Sequence, residues 1–213
     1  MRHITLSALS APSALSDAKR VISRGGVMLF PTDTLYGLGA DAFSDEAVDK
    51  IYAIKGRDER KPIHCIVADL AMAELYAHID SNARALARML LPGGLTLILK
   101  KRSHVTSGIA RGMHTIGIRI PNNAFCLQLA AELDRPFTAT SANLSDHVPL
   151  TTVKNIAHQL GEATERIDLA LDAGELPITI PSTVVDLSGE QPFILREGIV
   201  PTHQIWDAIG MGE

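Results

Sequence analysis

The chain has 213 residues, 46% of them hydrophobic and 21% charged, with a formal net charge of -4. That balance suits one soluble α/β domain, residues 1–213, with a sizeable core. It argues against a nucleic-acid binder charged over its whole surface, and leaves a local basic patch open.

Turn signals recur along the chain, and the elements alternate between helical and strand periods. "SALSDAKRVISRGG" (13–26) reads as a helix with Leu15, Ala18, Val21 and Ile22 on one face and Gly25-Gly26 at its end. "VMLF" (27–30) reads as a buried strand stopped by Pro31, and "LYGLGADA" (35–42) as a second extended segment. Ser44 is placed to cap a helix whose apolar stripe is Ala47, Val48, Ile51 and Ile54. "IHCIVADL" (63–70) reads as a strand, and "SNARALARMLL" (81–91) as a helix capped by Ser81. "LTLILKK" (95–101) and "TIGIRI" (115–120) read as strands, "NAFCLQLAAEL" (123–133) as a helix, and "PFTAT" (136–140) as a strand. A helix over 151–161, strands near 168–172, 183–187 and 192–196, and a last helix holding Trp206 complete the chain. The interleaving predicts one open, twisted, mixed sheet with helices on its faces.

Cys65 and Cys126 form no C-x-x-C pair and sit in apolar runs, so buried free thiols in a reducing compartment are expected. The N-terminus lacks an apolar signal-peptide core, and no apolar stretch reaches about 18 residues. A cytoplasmic chain without a membrane span is the expectation.

The motifs for several chemistries are missing. "GLGADA" (37–42) matches the loose G-x-G-x-x-A pattern, but "PTDT" intervenes after the strand and the acids about 20 residues on lie in a charged loop. It reads as a strand or turn that needs small residues. There is no phosphate-binding G-x-x-x-x-G-K-[ST], no zinc motif and no G-x-S-x-G elbow, so neither a resident metal nor a covalent nucleophile is expected. His64, inside an apolar strand, reads as a hydrogen-bonded core residue.

Small polar residues gather instead at strand ends: "PTDT" (31–34), "TSAN" (140–143), "PST" (181–183) and Arg196. Open α/β sheets bind ligands there, although the same residues also make ordinary turns. "KGRDERKP" (55–62) crowds six charged side chains into eight residues, either as a solvated loop or as an anion cradle. In "TIGIRI", alternation puts Gly117 and Arg119 on one face and Ile116, Ile118 and Ile120 on the other. Arg119 there suits a bidentate carboxylate or phosphate, or a salt bridge to Asp33 or Asp41.

"PTDTLYGLGADAF", "IYAIKGRDERKP", "LPGGLTLIL", "IGIRIP", "TATSANLS", "PSTVVDL" and "ILREG" follow one another in the order of the YrdC-like family, the threonylcarbamoyl-AMP synthases. The resemblance runs from residue 13 to residue 200 or so and implies an open sheet with a deep, positively lined concave face. It implies condensation of L-threonine, bicarbonate and ATP to threonylcarbamoyl-AMP and pyrophosphate, with magnesium on the phosphates. A tRNA-modifying transferase complex then takes the product.

By the same resemblance Lys55 and Arg57 match the K-x-R of a triphosphate clamp and are the catalytic pair. Ser141 and Asn143 match S-x-N, and Thr115 and Arg196 match further ATP contacts. Thr34, Arg119 and Ser182 match threonine contacts, with Arg119 on the carboxylate. Lys61 stands where many relatives carry Asn, and is expected to serve as a phosphate cation. Ile66 replaces a His that follows that Asn by five residues, and Pro149 a nucleotide-contacting Ser. No counterpart of the longer members' C-terminal domain is expected. A paralogue using another amine, or a non-catalytic double-stranded-RNA-binding or ribosome-maturation module, are the competing expectations. The 4% aromatic content speaks against single-strand RNA binding by stacking.

Overall fold

Among the described residues, nine of ten strands fall on apolar runs legible in the sequence; the tenth does not. A computed structural model describes residues 1–7, 11–58, 61–177 and 180–212. In chain order it contains β1 (Arg2–Thr5), α1 (Ala11–Ser23), β2 (Met28–Pro31), β3 (Tyr36–Gly39), α2 (Asp45–Lys55) and β4 (His64–Ile66). Then come α3 (Leu70–Tyr76), α4 (Ser81–Leu90), β5 (Leu95–Lys100), β6 (Thr115–Arg119), α5 (Ala124–Leu133) and β7 (Phe137–Ser141). The chain continues with α6 (Val153–Leu160), β8 (Leu169–Asp172), β9 (Thr183–Asp186), β10 (Phe193–Arg196) and α7 (Thr202–Ala208). The strands form one mixed sheet in the order β1-β8-β2-β3-β7-β4-β6-β5-β9-β10.

Alternation divides the core between the two faces of this sheet. Leu95, Leu97, Leu99, Ile116, Ile118 and Ile120 join one cluster with the stripe of α2. Met28, Phe30, Ile66 and Phe137 point the other way, against Leu15, Ala18 and Ile22 of α1 and Leu129 of α5. Phe30 and Phe137 meet edge to face there, 5.5 Å between ring centres. The helices α1 and α5 cover this second face only in part. Where they stop, the face-down positions of β4, β5, β6 and β9 are His64, Thr96, Gly117, Arg119 and Val184 rather than large apolar residues, and a concavity opens.

The glycines of "GLGADA" have a packing reason. A Cβ at Gly39 would lie 2.8 Å from the Met28 side chain and 2.9 Å from Phe30, and one at Gly37 would crowd Phe30 at 3.1 Å. They let two large β2 side chains lie across β3, as expected of a strand that needs small residues.

Three local expectations change. The 63–70 strand ends at Ile66, because the Asp69 carboxylate accepts from the Met72 N–H at 2.8 Å and starts α3. The cap of α4 is Asp80, whose carboxylate accepts from the Ala83 N–H at 2.8 Å; Ser81 is already helical. Finally β1, "RHIT", pairs in parallel with β8 without an apolar alternation of its own. Cys65 and Cys126 are both buried free thiols, as expected, and burial pushes the Cys65 thiol up to about 12.

Candidate functional site

Register brings the candidate residues together in rows across the sheet. One row runs Ile66, Arg119, Thr96, Val184, Arg196, through four consecutive pairings. The next runs Ala139, His64, Gly117, Ile98. Beyond it Thr115 pairs with Lys100. Apart from Ile66, the first two rows floor a cavity of about 380 Å³ lined also by Thr34, Arg57, Ser141, Asn143 and Ser182. That volume falls in the usual range for small-molecule sites.

At one end stands Arg119, 5% exposed. Its guanidinium donates to Asp33 Oδ1 at 2.6 Å and to Thr34 Oγ1 at 2.9 Å. The salt bridge is formed, with Asp33 rather than Asp41 as the partner, and Arg119 also lines the cavity; Asp41 pairs with Arg135. The "PTDT" turn is built to hold this geometry. Thr32 Oγ1 accepts from the Thr34 and Leu35 N–H groups at 3.0 and 3.1 Å, and Asp33 Oδ2 accepts from the Asn122 N–H at 3.0 Å. Arg119 Nε is buried without a hydrogen-bond partner. Such a group costs about 1–3 kcal/mol or more unless a ligand meets it.

Arg196 reaches the same end from β10. Its Nε and one terminal nitrogen donate to the Ser182 carbonyl at 3.2 and 2.8 Å. Ser182 Oγ lies 2.9 Å from Thr96 Oγ1. Thr183 Oγ1 ties the two loops: it donates to the Val200 carbonyl at 2.6 Å and accepts from the Gly198 N–H at 2.8 Å. Gly198 is required, because a Cβ there would meet the Pro181 carbonyl oxygen at 2.1 Å. The spacing of "PST" and "ILREG" thus fixes one cation against one hydroxyl pair.

The other end is the charged stretch. Gly56 closes α2 in the left-handed region at φ 55, a conformation glycine adopts without strain, and so turns the chain between Lys55 and Arg57. Arg57 donates to the Lys61 and Pro62 carbonyls at 3.3 and 3.1 Å and lines the cavity with its guanidinium. Lys55 points elsewhere. It is 1% exposed and donates to the Ser141 carbonyl, to the Asn143 carbonyl at 2.8 Å and to Asn143 Oδ1 at 3.5 Å. Lys55 therefore shapes the S-x-N turn from behind the cavity wall. Asn143 Nδ2 donates to the Leu144 and His147 carbonyls at 2.8 and 2.7 Å, so that turn is rigid on both sides.

Burial, with Arg57 adding repulsion, pushes the Lys55 ammonium down from 10.5 to about 7. An unfolded chain keeps that proton up to about 10.5, so between about 7 and 10.5 the unfolded state binds more protons and rising pH favours the fold. Relative to Lys55→Met, the native protein is expected to gain on the order of 1 kcal/mol per pH unit across that window. Denaturant titrations of both proteins at pH 7, 8.5 and 10 check it; a constant difference contradicts it.

Two further expected contacts lie outside the cavity wall. Lys61 Nζ pairs with both carboxylate oxygens of Asp146 at 2.9 and 2.8 Å, bridging the two loops at the rim. Thr115 sits at the outer end of the cavity-facing row of β6. Glu59 and Arg60 lie outside the described residues. The replaced position Ile66 is fully buried among Phe137 and Met28 and does not line the cavity. Pro149 does line it.

Sequence reasoning missed two wall residues. Thr96 was the one polar residue in "LTLIL", and its alternation with Ile98 marks the face. His64 is no hydrogen-bonded core residue: it lines the cavity, and its ring has no hydrogen-bond partner among the described residues. Burial first, then the charges of Arg119, Arg196 and Arg57, push it down to about 3, so it is neutral at pH 7.

The family model for Sua5, YciO and YrdC, described as telomere recombination, matches residues 20–198. The chain belongs to the Sua5/YciO/YrdC family. The Pyrococcus abyssi threonylcarbamoyl-AMP synthase is 36% identical over 190 residues, which cover 89% of this chain and 55% of that protein. The Bos taurus threonylcarbamoyl-AMP synthase is 33% identical, over 87% of this chain and 68% of that one. The solved structure of P. abyssi Sua5 complexed with L-threonine superposes with a TM-score of 0.88 at 33% identity, over 99% of this chain and 61% of that one. Escherichia coli YciO superposes with a TM-score of 0.83 at 26% identity, over 98% of both. The chain thus spans little more than half of its longer Sua5 relatives and nearly all of a short one, and the mixed sheet is that of the Sua5/YciO/YrdC fold.

Proposed function

We propose that the chain is an L-threonylcarbamoyladenylate synthase. The observation that carries this reading is the polarity of this cavity: a buried Arg119 with an unpartnered Nε at one end, and Arg57 beside the S-x-N turn at the other. The first suits an amino-acid carboxylate, with Thr34 and Ser182 at hand for its polar groups. The second suits a triphosphate, with Ser141 and Asn143 as further contacts; Arg196, at the Arg119 end, is set to meet the nucleotide where it adjoins the amino acid, and Thr115 lies outside the wall. The activity for which the relatives are named supports the assignment.

The chemistry needs no covalent nucleophile. The threonine amine adds to bicarbonate with loss of water, giving a carbamate. A carbamate oxygen then attacks the α-phosphorus of ATP, and the bond to the bridging oxygen breaks to release pyrophosphate. The protein's part is to hold both reactants in line and to neutralise charge on the leaving group. Arg57 and Arg196 supply that charge, and Lys55 holds the S-x-N turn against the nucleotide. Magnesium enters as the ATP chelate: among the described residues no group of three or more His, Cys, Asp or Glu is arranged to hold an ion. Asp33 is already engaged by Arg119. The product passes to a tRNA-modifying transferase complex in the cytoplasm. No helix of the described residues is long and apolar enough to cross a membrane.

Pyrophosphate release from ATP and bicarbonate is expected to rise at least about tenfold with L-threonine, the step of a factor of ten in rate corresponding to 1.36 kcal/mol. Release that no amino acid stimulates overturns the proposal. Stimulation by another amine alone keeps the adenylyl transfer and changes the acceptor.

A further inference from the structure

His64 stands between the two ends of the cavity. Its strand partners are Gly117 on one side and Ala139 on the other, both small. A Cβ at Gly117 would lie 2.9 Å from His64 Cβ, so glycine is what leaves the ring its room over the floor. The row on one side of it contains Arg119; on the other, two residues back along the chain, Pro62 accepts from Arg57. Three guanidinium groups, Arg119, Arg196 and Arg57, all act on the ring.

We infer that the His64 imidazole contacts the substrate at the junction of its amino-acid and phosphate parts, as a neutral hydrogen-bonding partner for the carbamate. The inference rests on the synthase reading. A carbamate presents an N–H and two oxygens together. Guanidinium groups only donate, so the three arginines leave that N–H unanswered. A neutral imidazole has one N–H and one lone pair, and matches both halves of the group. The ring is held in that state by its surroundings: burial and three nearby cations oppose a proton on it. A lysine or arginine here would add a fourth positive charge and no acceptor. No partner among the described residues competes for either ring nitrogen. The contact steadies the carbamate oxygen for its attack on the α-phosphorus, so it acts on turnover more than on binding of either free substrate.

The test separates those steps in the full-length protein. His64→Ala is expected to lower kcat for threonine-dependent pyrophosphate release by about 10²-fold, the usual loss of one positioned polar contact. The dissociation constants of ATP and of L-threonine, measured by calorimetry, should change by less than about threefold, and the unfolding midpoint should hold. His64→Asn, which keeps one donor and one acceptor, should recover at least about tenfold of the loss, while His64→Leu should not. An unchanged kcat in His64→Ala beside an active wild type overturns the inference and leaves the synthase reading standing. Loss of both substrates' binding together, with no rescue by Asn, also overturns it, because that pattern is a collapsed cavity. A wild type with no amine-dependent turnover overturns the synthase reading, and the inference with it.

Discussion

Arg119→Lys is expected to raise the KM for L-threonine by about 10²-fold while leaving ATP binding nearly unchanged, since one bidentate charged contact is worth roughly 1.5–3 kcal/mol. Lysine keeps a positive charge for Asp33, which Arg119 meets at 2.6 Å, so the fold survives. It loses the planar fork that lets one guanidinium serve Asp33, Thr34 and a ligand carboxylate at once. Arg119→Ala should do more harm of a different kind. It leaves the Asp33 carboxylate, 13% exposed, without its cation, at a cost of about 3–5 kcal/mol in stability for breaking such a pair. Initial rates over a range of threonine concentrations, beside unfolding curves for both variants, separate the two effects. A threonine KM that Arg119→Lys leaves untouched contradicts the assignment of this end of the cavity.

The second large effect is at the opposite end. Arg57→Ala should cut kcat/KM for ATP by about 10²–10³-fold, the typical loss when one charge-stabilising donor at a reacting group is removed. Among the described residues its bonds run to the Lys61 and Pro62 carbonyls at an exposed turn, so stability should stay within about 0.5 kcal/mol. Arg60→Ala, three residues further along the sequence, is expected to keep most of the activity. Equal losses at both positions would mean that the loop acts through its summed charge. Titrating ATP into each variant and measuring turnover at saturating threonine distinguishes the two cases.

How far these residues could be read in advance depends on how local their signals are. The helix α2 was legible because its cap, acidic first turn, apolar stripe and terminal glycine lie within thirteen residues, Ser44 to Gly56. The face of β6 was legible because period two admits only one arrangement of Gly117 and Arg119 against three isoleucines. What alternation cannot give is which neighbour a face meets. Lys55 shares a motif with Arg57, yet its ammonium is consumed by carbonyls 86 and 88 residues away. Nothing near Lys55 in the chain announces that. Lys61 likewise meets Asp146 across the rim. His64 looked like core because its strand is apolar, and only the absence of a covering helix over that part of the sheet puts its ring on a cavity wall. Asp33 and Asp41 were equal candidates for Arg119 until the "PTDT" turn was seen to aim one of them.

In the proposed reaction a single cavity joins an amino acid at Arg119 to a nucleotide at Arg57 through one carbon taken from bicarbonate. The most direct measurement supplies carbon-13 bicarbonate, ATP and L-threonine to the purified protein and identifies the adenylate by mass spectrometry. The expected product is a threonine adduct of AMP that carries one heavy carbon, forms in step with pyrophosphate, and is missing when Arg119→Lys is assayed at low threonine. Pyrophosphate released without that labelled adduct, or at the same rate without threonine, would contradict the proposed reaction.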